Sequence, residues 1–226
     1  PMPLLREVQF VSFNDPAKKF NLLDGFSEEL VAGRGHLEVE FARSRLLEAG
    51  GAIDYLLRYP YGCAEQTTSS TIPWIAAKNL RHIAPGFQAK TVAQIDKAIQ
   101  AGADRLLGMQ TSDGGIGYWS GTDSSSDWAS SYAGLGLVLR KEAGADVPQS
   151  SLDRLAGYLS LQLRGLSSLK TAYDYERYAR GLYVLARLGK PENAYHSKLL
   201  EKTTELPDSA RAFLALAMHS AQQDGA

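Results

Sequence analysis

Cysteine is nearly missing from this 226-residue chain, where Cys63 stands alone. A lone cysteine closes no internal disulfide, so it does not choose between a reducing and an oxidising compartment, and it is left open to other chemistry. Histidine is scarce too: His36, His82, His196 and His219 each read as an ordinary surface or core residue. Excess charge of either sign is absent. A net charge of −1 removes any bulk electrostatic case for nucleic acid or an anionic membrane as partner. No apolar run approaches the roughly 20 residues a membrane-spanning helix needs, and no charged, apolar, then small-residue leader is found. The chain opens at Pro1-Met2-Pro3-Leu4 as if in mid-protein. We read it as a piece of something longer, so missing targeting signals say nothing about location.

What is present suits a globular protein, with 44% hydrophobic and 22% charged residues and length enough for one sizeable core. The first 45 residues have their own texture. Val8, Phe10 and Ser12 alternate with Gln9 and Val11, and Leu37, Val39 and Phe41 alternate with Glu38 and Glu40, the period of half-buried strands. Residues 1–45 are therefore expected to be edge strands of an adjoining domain, and 46–226 a helical domain.

From Leu46 the period is helical. Helices are expected over 46–57, from Glu65 to His82 with Pro73 kinking or dividing it, from Thr91 to Gln110, and from Ser126 to Ala143. Others start at Pro148, around Tyr175 and, as short pieces, at Pro191 and Asp208. Gly144 followed by Pro148 and Gly189 followed by Pro191 share one joint design, a glycine at C′ and a proline at N1. The joints lie 45 residues apart, the length of one helical hairpin. A run of such hairpins builds an open solenoid or an α/α ring, and periodicity does not choose between them.

The chemistry gathers at Tyr59-Pro60-Tyr61-Gly62-Cys63-Ala64-Glu65-Gln66. A thiolate is a strong nucleophile, and at a spacing of three the cysteine and glutamine side chains lie on one face of a turn, roughly 5–6 Å apart at Cβ. Attack of Cys63 sulfur on the Gln66 carboxamide, with loss of ammonia, closes a thioester ring of about fifteen atoms. The bland reading of Cys63 is a small buried hydrophobe, and that of Glu65 a favourable charge at a helix start.

Residues 59–69 closely resemble the thioester motif of bacterial alpha-2-macroglobulins, relatives of the complement components, with its Gly-Cys-x-Glu-Gln core and aromatic-Pro-aromatic lead-in. Asp113 to Trp119 is similar to the family's glycine-rich, Trp-ended loop, and Ser126 to Tyr132 to its Trp-x-x-x-Tyr helix start. The resemblance covers about residue 30 onward. It implies a mainly α thioester domain, an α/α toroid of helical hairpins preceded by strands of a neighbouring domain. About eight helices are fewer than a complete toroid carries, so truncation near Gln223 is expected. It further implies a single-use protease trap, not a turnover enzyme, facing the periplasm in a larger envelope protein. Cys63 and Gln66 form the cross-link, with Tyr59, Tyr61, Gly62 and Glu65 in support, and the exposed thioester acylates lysine amines of a protease. No cofactor or metal is implied. Relatives that transfer to hydroxyls use a histidine in the region matching Ser168 to Glu176; none is present here, which points to direct aminolysis.

Other readings compete. Helical toroids also house cyclases and lyases, but the aspartate cluster a cyclase needs is absent. A cysteine hydrolase needs a histidine base brought to Cys63. A passive helical interaction domain leaves the Cys63 to Gln66 spacing as coincidence. Asp123, Asp127, Asp174 and Glu176 read as a solvated face, the 113–119 loop as a tight helix connection without the lysine of a P-loop, and Trp74, Tyr118, Trp119 and Trp128 as core.

Overall fold

The structure is a computed structural model, describing residues 62–80 and 90–223 with isolated positions 11, 17, 19, 21, 24 and 39. The first helix among the described residues, α1 (Ala64–Leu80), carries Thr67, Thr68, Ser69, Ser70 and Thr71 in succession, a poor helix by propensity. Tertiary burial holds it: Thr67, Thr68 and Thr71 are buried. The Thr68 and Thr71 hydroxyls satisfy themselves on the carbonyls one turn back, at 2.8 Å each to Ala64 and Thr67. The helix runs through Pro73 and is not divided there.

Six further α-helices follow among the described residues: α2 (Val92–Leu107), α3 (Asp127–Glu142), α4 (Gln149–Gln162), α5 (Ala172–Arg187), α6 (Asn193–Leu200) and α7 (Asp208–Gln223), with a 3-10 turn at Leu163–Ser168. α7 has 16 residues and is as long as α5, not the short piece expected from its sequence. Helices two apart in the chain are neighbours: α1 packs on α3, α3 on α5 and α5 on α7. The intervening helices cover these seams, α2 on α1 and α3, α4 on α3 and α5, α6 on α5 and α7. An inner row and an outer row of hairpins make the α/α toroid.

The two rows differ as their positions require. Inner helices α3 and α5 are buried nearly all round, whereas outer α2 buries one stripe, Ile95, Ile99, Gly102, Ala103 and Leu106. Val92, expected in that stripe, is 52% exposed because it opens the helix beyond the seam. Gly144 and Gly189 have φ of +99° and +71°. Each closes its helix with a complete Schellman pair: Ala145 N–H to Arg140 O and Gly144 N–H to Lys141 O, then Lys190 N–H to Leu185 O and Gly189 N–H to Ala186 O. The prolines sit earlier than expected, Pro148 at the N-cap of α4 and Pro191 one residue before the N-cap of α6. The expected strands and the 46–57 helix lie outside the described residues, apart from Val11 and Val39, both exposed and neither in a strand.

Candidate functional site

Cys63 immediately precedes α1, and its carbonyl accepts the first intrahelical bond, from Thr67 N–H at 2.8 Å, so it stands at the N-cap. Gln66 is then the third helical residue. Cys63 Sγ accepts from Gln66 N–H at 3.4 Å, while Cys63 N–H donates to Gln66 Oε1 at 3.3 Å. The pair is a capping box with sulfur in place of the usual hydroxyl oxygen. Its consequence is that the thiol and the carboxamide share one turn by ordinary helix-start geometry, each bonded to the other residue's backbone N–H. Cys63 is 7% exposed. Glu65, between them, is exposed in the first turn and complements the helix dipole. Gly62 is half-buried under Arg105 of α2, whose Nη1 would lie 2.9 Å from an added Cβ. Tyr59 and Tyr61 lie outside the described residues.

The loop joining α2 to α3 meets this cap directly. Ala64 N–H donates to Tyr118 O at 2.9 Å. Within the loop, Asp113 accepts from Thr111 Oγ1, Ser125 Oγ and Gly115 N–H, and these bonds, the Thr111 hydroxyl first, hold its carboxyl below its ordinary range. Gly114 has φ +92°, and a Cβ there would sit 2.5 Å from the Arg154 carbonyl oxygen, so the turn takes no larger residue. The Tyr118 ring stacks on Trp128 (6.3 Å, 3°), and Trp128 stacks on Tyr173 (6.4 Å, 6°) and tilts against Tyr132 (5.1 Å). Tyr132 returns to α1 through a 2.9 Å contact with Ser69 Oγ. Tyr118 and Trp119 are therefore not core: they are 37% and 55% exposed, and the fold uses the Tyr118 backbone carbonyl. Trp74 and Trp128 are half-buried.

The profile of the A-macroglobulin TED domain matches residues 40–163, more than half of the chain. The chain belongs to that family. This TED domain is 30% identical over 153 residues to an alpha-2-macroglobulin of Thermotoga maritima, covering 67% of this chain and 9% of that one. It is 31% identical over 102 residues to the Escherichia coli protein, covering 45% and 6%. It thus spans less than a tenth of the length of these relatives. Among solved structures it resembles native E. coli alpha-2-macroglobulin from domain MG7 to the C-terminus, with TM-score 0.64, 24% identity and coverage of 77% and 29%. It also resembles Salmonella alpha-2-macroglobulin reacted with methylamine, with TM-score 0.65, 25% identity and coverage of 77% and 12%.

Two residues of the TED domain that sequence reasoning passed over are buried arginines. Arg140 of α3 is fully buried, donates Nη2 to Thr67 O at 2.8 Å, and is pushed down to about 10 by burial. Its Nε and Nη1 have no hydrogen-bond partner. Arg180 of α5, 3% exposed, lies 5.3 Å from the Trp128 ring centroid and 5.1 Å from that of Tyr132, and pairs with Glu176 at 3.0 Å. An arginine on a helix reads as solvated; the clue to Arg140 is Gly136 one turn earlier, where a Cβ would meet Nη1 at 2.6 Å. The presumed solvated face is likewise structural in part. Asp127 accepts from Tyr158 and Arg177, Asp174 closes a cap on Thr171, and Glu176 accepts from Ser209. Among the described histidines, His219 is exposed, and His196 is buried on α6, burial holding it below its ordinary range. His36 and His82 lie outside the described residues. No group of His, Cys, Asp and Glu among the described residues is arranged to hold a metal.

Proposed function

We propose that Cys63 and Gln66 form an internal thioester, used once to acylate an amine, and that the parent protein is a periplasmic inhibitor that captures proteases through their lysines. The reciprocal contact of Cys63 with Gln66 carries this reading: the buried sulfur and the half-buried carboxamide share one helix turn. Ring closure takes the thiol proton and the amide nitrogen away as ammonia. Aminolysis returns the sulfur as a thiol and leaves an amide on residue 66. A thioester hydrolyses in water, and burial of Cys63 and Ala64 beneath the Tyr118 loop supplies part of the exclusion. With no histidine between Ser168 and Glu176, the amine attacks the thioester directly. Family membership supports the trapping role, and the family resemblance supports the envelope location. A Salmonella relative reacted with methylamine makes the choice of probe natural.

Intact mass spectrometry tests it. The thioester form lacks one ammonia and shows no alkylatable thiol; methylamine treatment yields a free Cys63 thiol and a methylated Gln66. Hydrolysis in an isolated domain leaves glutamate at position 66, which peptide mapping detects. Freshly prepared protein with unmodified Gln66 and a freely alkylated Cys63, inert to methylamine, would refute the assignment.

A further inference from the structure

We infer, resting on the thioester reading, that the backbone N–H of Cys63 is the oxyanion donor of this site. In the capping box this N–H points at Gln66 Oε1 from 3.3 Å. That oxygen takes the negative charge in both reactions the site would perform. In ring closure, Cys63 Sγ attacks Gln66 Cδ, the carbonyl electron pair moves onto Oε1, and the tetrahedral centre collapses with Nε2 leaving as ammonia after taking the thiol proton. In aminolysis, an amine nitrogen attacks the same carbon, the charge returns to Oε1, and Sγ leaves with the amine's proton. The Cys63 N–H thus faces the same oxygen throughout. Three neighbouring N–H groups are engaged elsewhere: Ala64 N–H is held by Tyr118 O at 2.9 Å, Gln66 N–H by Sγ at 3.4 Å, and Thr67 N–H by Cys63 O at 2.8 Å. The donor comes from the N-terminal end of α1, where the helix field favours negative charge, and it is preorganised because the cap fixes it before any charge develops. The motif's own cysteine therefore supplies two functions, nucleophile from its side chain and electrostatic catalyst from its backbone.

The test removes that single hydrogen. The full 226-residue chain is assembled by ligation with Cys63 replaced by its α-hydroxy analogue, so the amide N–H becomes an ester oxygen while the thiol stays. A second chain carries the ester at Thr91, which removes the equivalent N–H bond to Gln94 Oε1 at the start of α2 and leaves the Cys63 N–H intact. Both are compared with the native chain by thermal unfolding, by the rate of ammonia loss and by the rate of methylamine incorporation. The expected result is a fall of about 10²–10³-fold in both rates for the Cys63 ester, with the Thr91 ester near native. Native-like rates in the Cys63 ester, or equal losses in the two esters, overturn the oxyanion assignment while leaving the thioester standing. A native chain that loses no ammonia and takes up no methylamine overturns the thioester reading itself.

Discussion

At the start of α2, Thr91 Oγ1 accepts from Gln94 N–H at 3.2 Å, while Thr91 N–H donates to Gln94 Oε1 at 2.9 Å. At the start of α1 the same two contacts join Cys63 and Gln66 at 3.4 and 3.3 Å. The boxes share topology and the glutamine; they differ in the acceptor atom, in the threonine methyl and in surroundings. Thr91 and Gln94 are exposed, whereas Cys63 is buried and Gln66 half-buried. An ordinary helix cap therefore already puts a thiol or hydroxyl and a carboxamide on one turn. In the proposed thioester reading, chemistry is added by a softer nucleophile and by exclusion of water, to which the Tyr118 loop bonded to Ala64 N–H contributes.

The sharpest way to break this comparison is to exchange the boxes. Cys63→Ser should abolish ammonia loss and methylamine labelling while leaving the urea midpoint almost unmoved, because serine is a good N-cap, with a change under about 0.5 kcal/mol. Conversely, Thr91→Cys should give an alkylatable thiol with no additional ammonia deficit; a second deficit in the intact mass would show that geometry alone suffices. Next in size, Gly102→Ala should destabilise by about 1–3 kcal/mol in denaturant titration. Its Cβ would lie 2.5 Å from Thr71 Oγ1 and 2.9 Å from Arg140 Nε, in the seam that buries α1. Thr91→Ala should cost about 1 kcal/mol and leave methylamine labelling at the native rate, separating cap stability from chemistry.

The smallest effect concerns a third box, Thr171 with Asp174 at the start of α5, where the glutamine is replaced by a carboxylate. The Thr171 hydroxyl, then the Thr171 and Lys170 backbone N–H groups, hold Asp174 below its ordinary range. A depressed carboxylate contributes stability above the unfolded value of about 3.9, lost as pH falls through the lower folded value. Asp174→Asn should therefore flatten the acid limb of stability below about pH 4, measured by denaturant midpoints from pH 3 to 6, whereas the glutamine boxes contribute no such slope.

Much of this was legible before any coordinates. Apolar spacing located the ends of α2 and α3 within three residues and placed α5 around Tyr175, because an amphipathic or buried helix advertises its period. Gly144 and Gly189 announced their Schellman turns because a positive φ excludes most other residues. Tyr118 and Trp119 misled, since aromatic identity does not reveal that a loop is used for its carbonyl. Arg140 and Arg180 were invisible because a side chain's charge carries no record of what packs around it. Val92 was placed on the buried stripe since periodicity does not say where a neighbouring helix ends.

The opening stretch shows the division most clearly. The sequence by itself determined the pair, a thiol and a carboxamide three residues apart, since helix pitch fixes which side chains share a turn. Only the tertiary structure decided that this turn is covered. The cover depends on helices and a loop distant in the chain, brought against α1 by burial of a common core, whereas the cap contacts are local to residues 63–66.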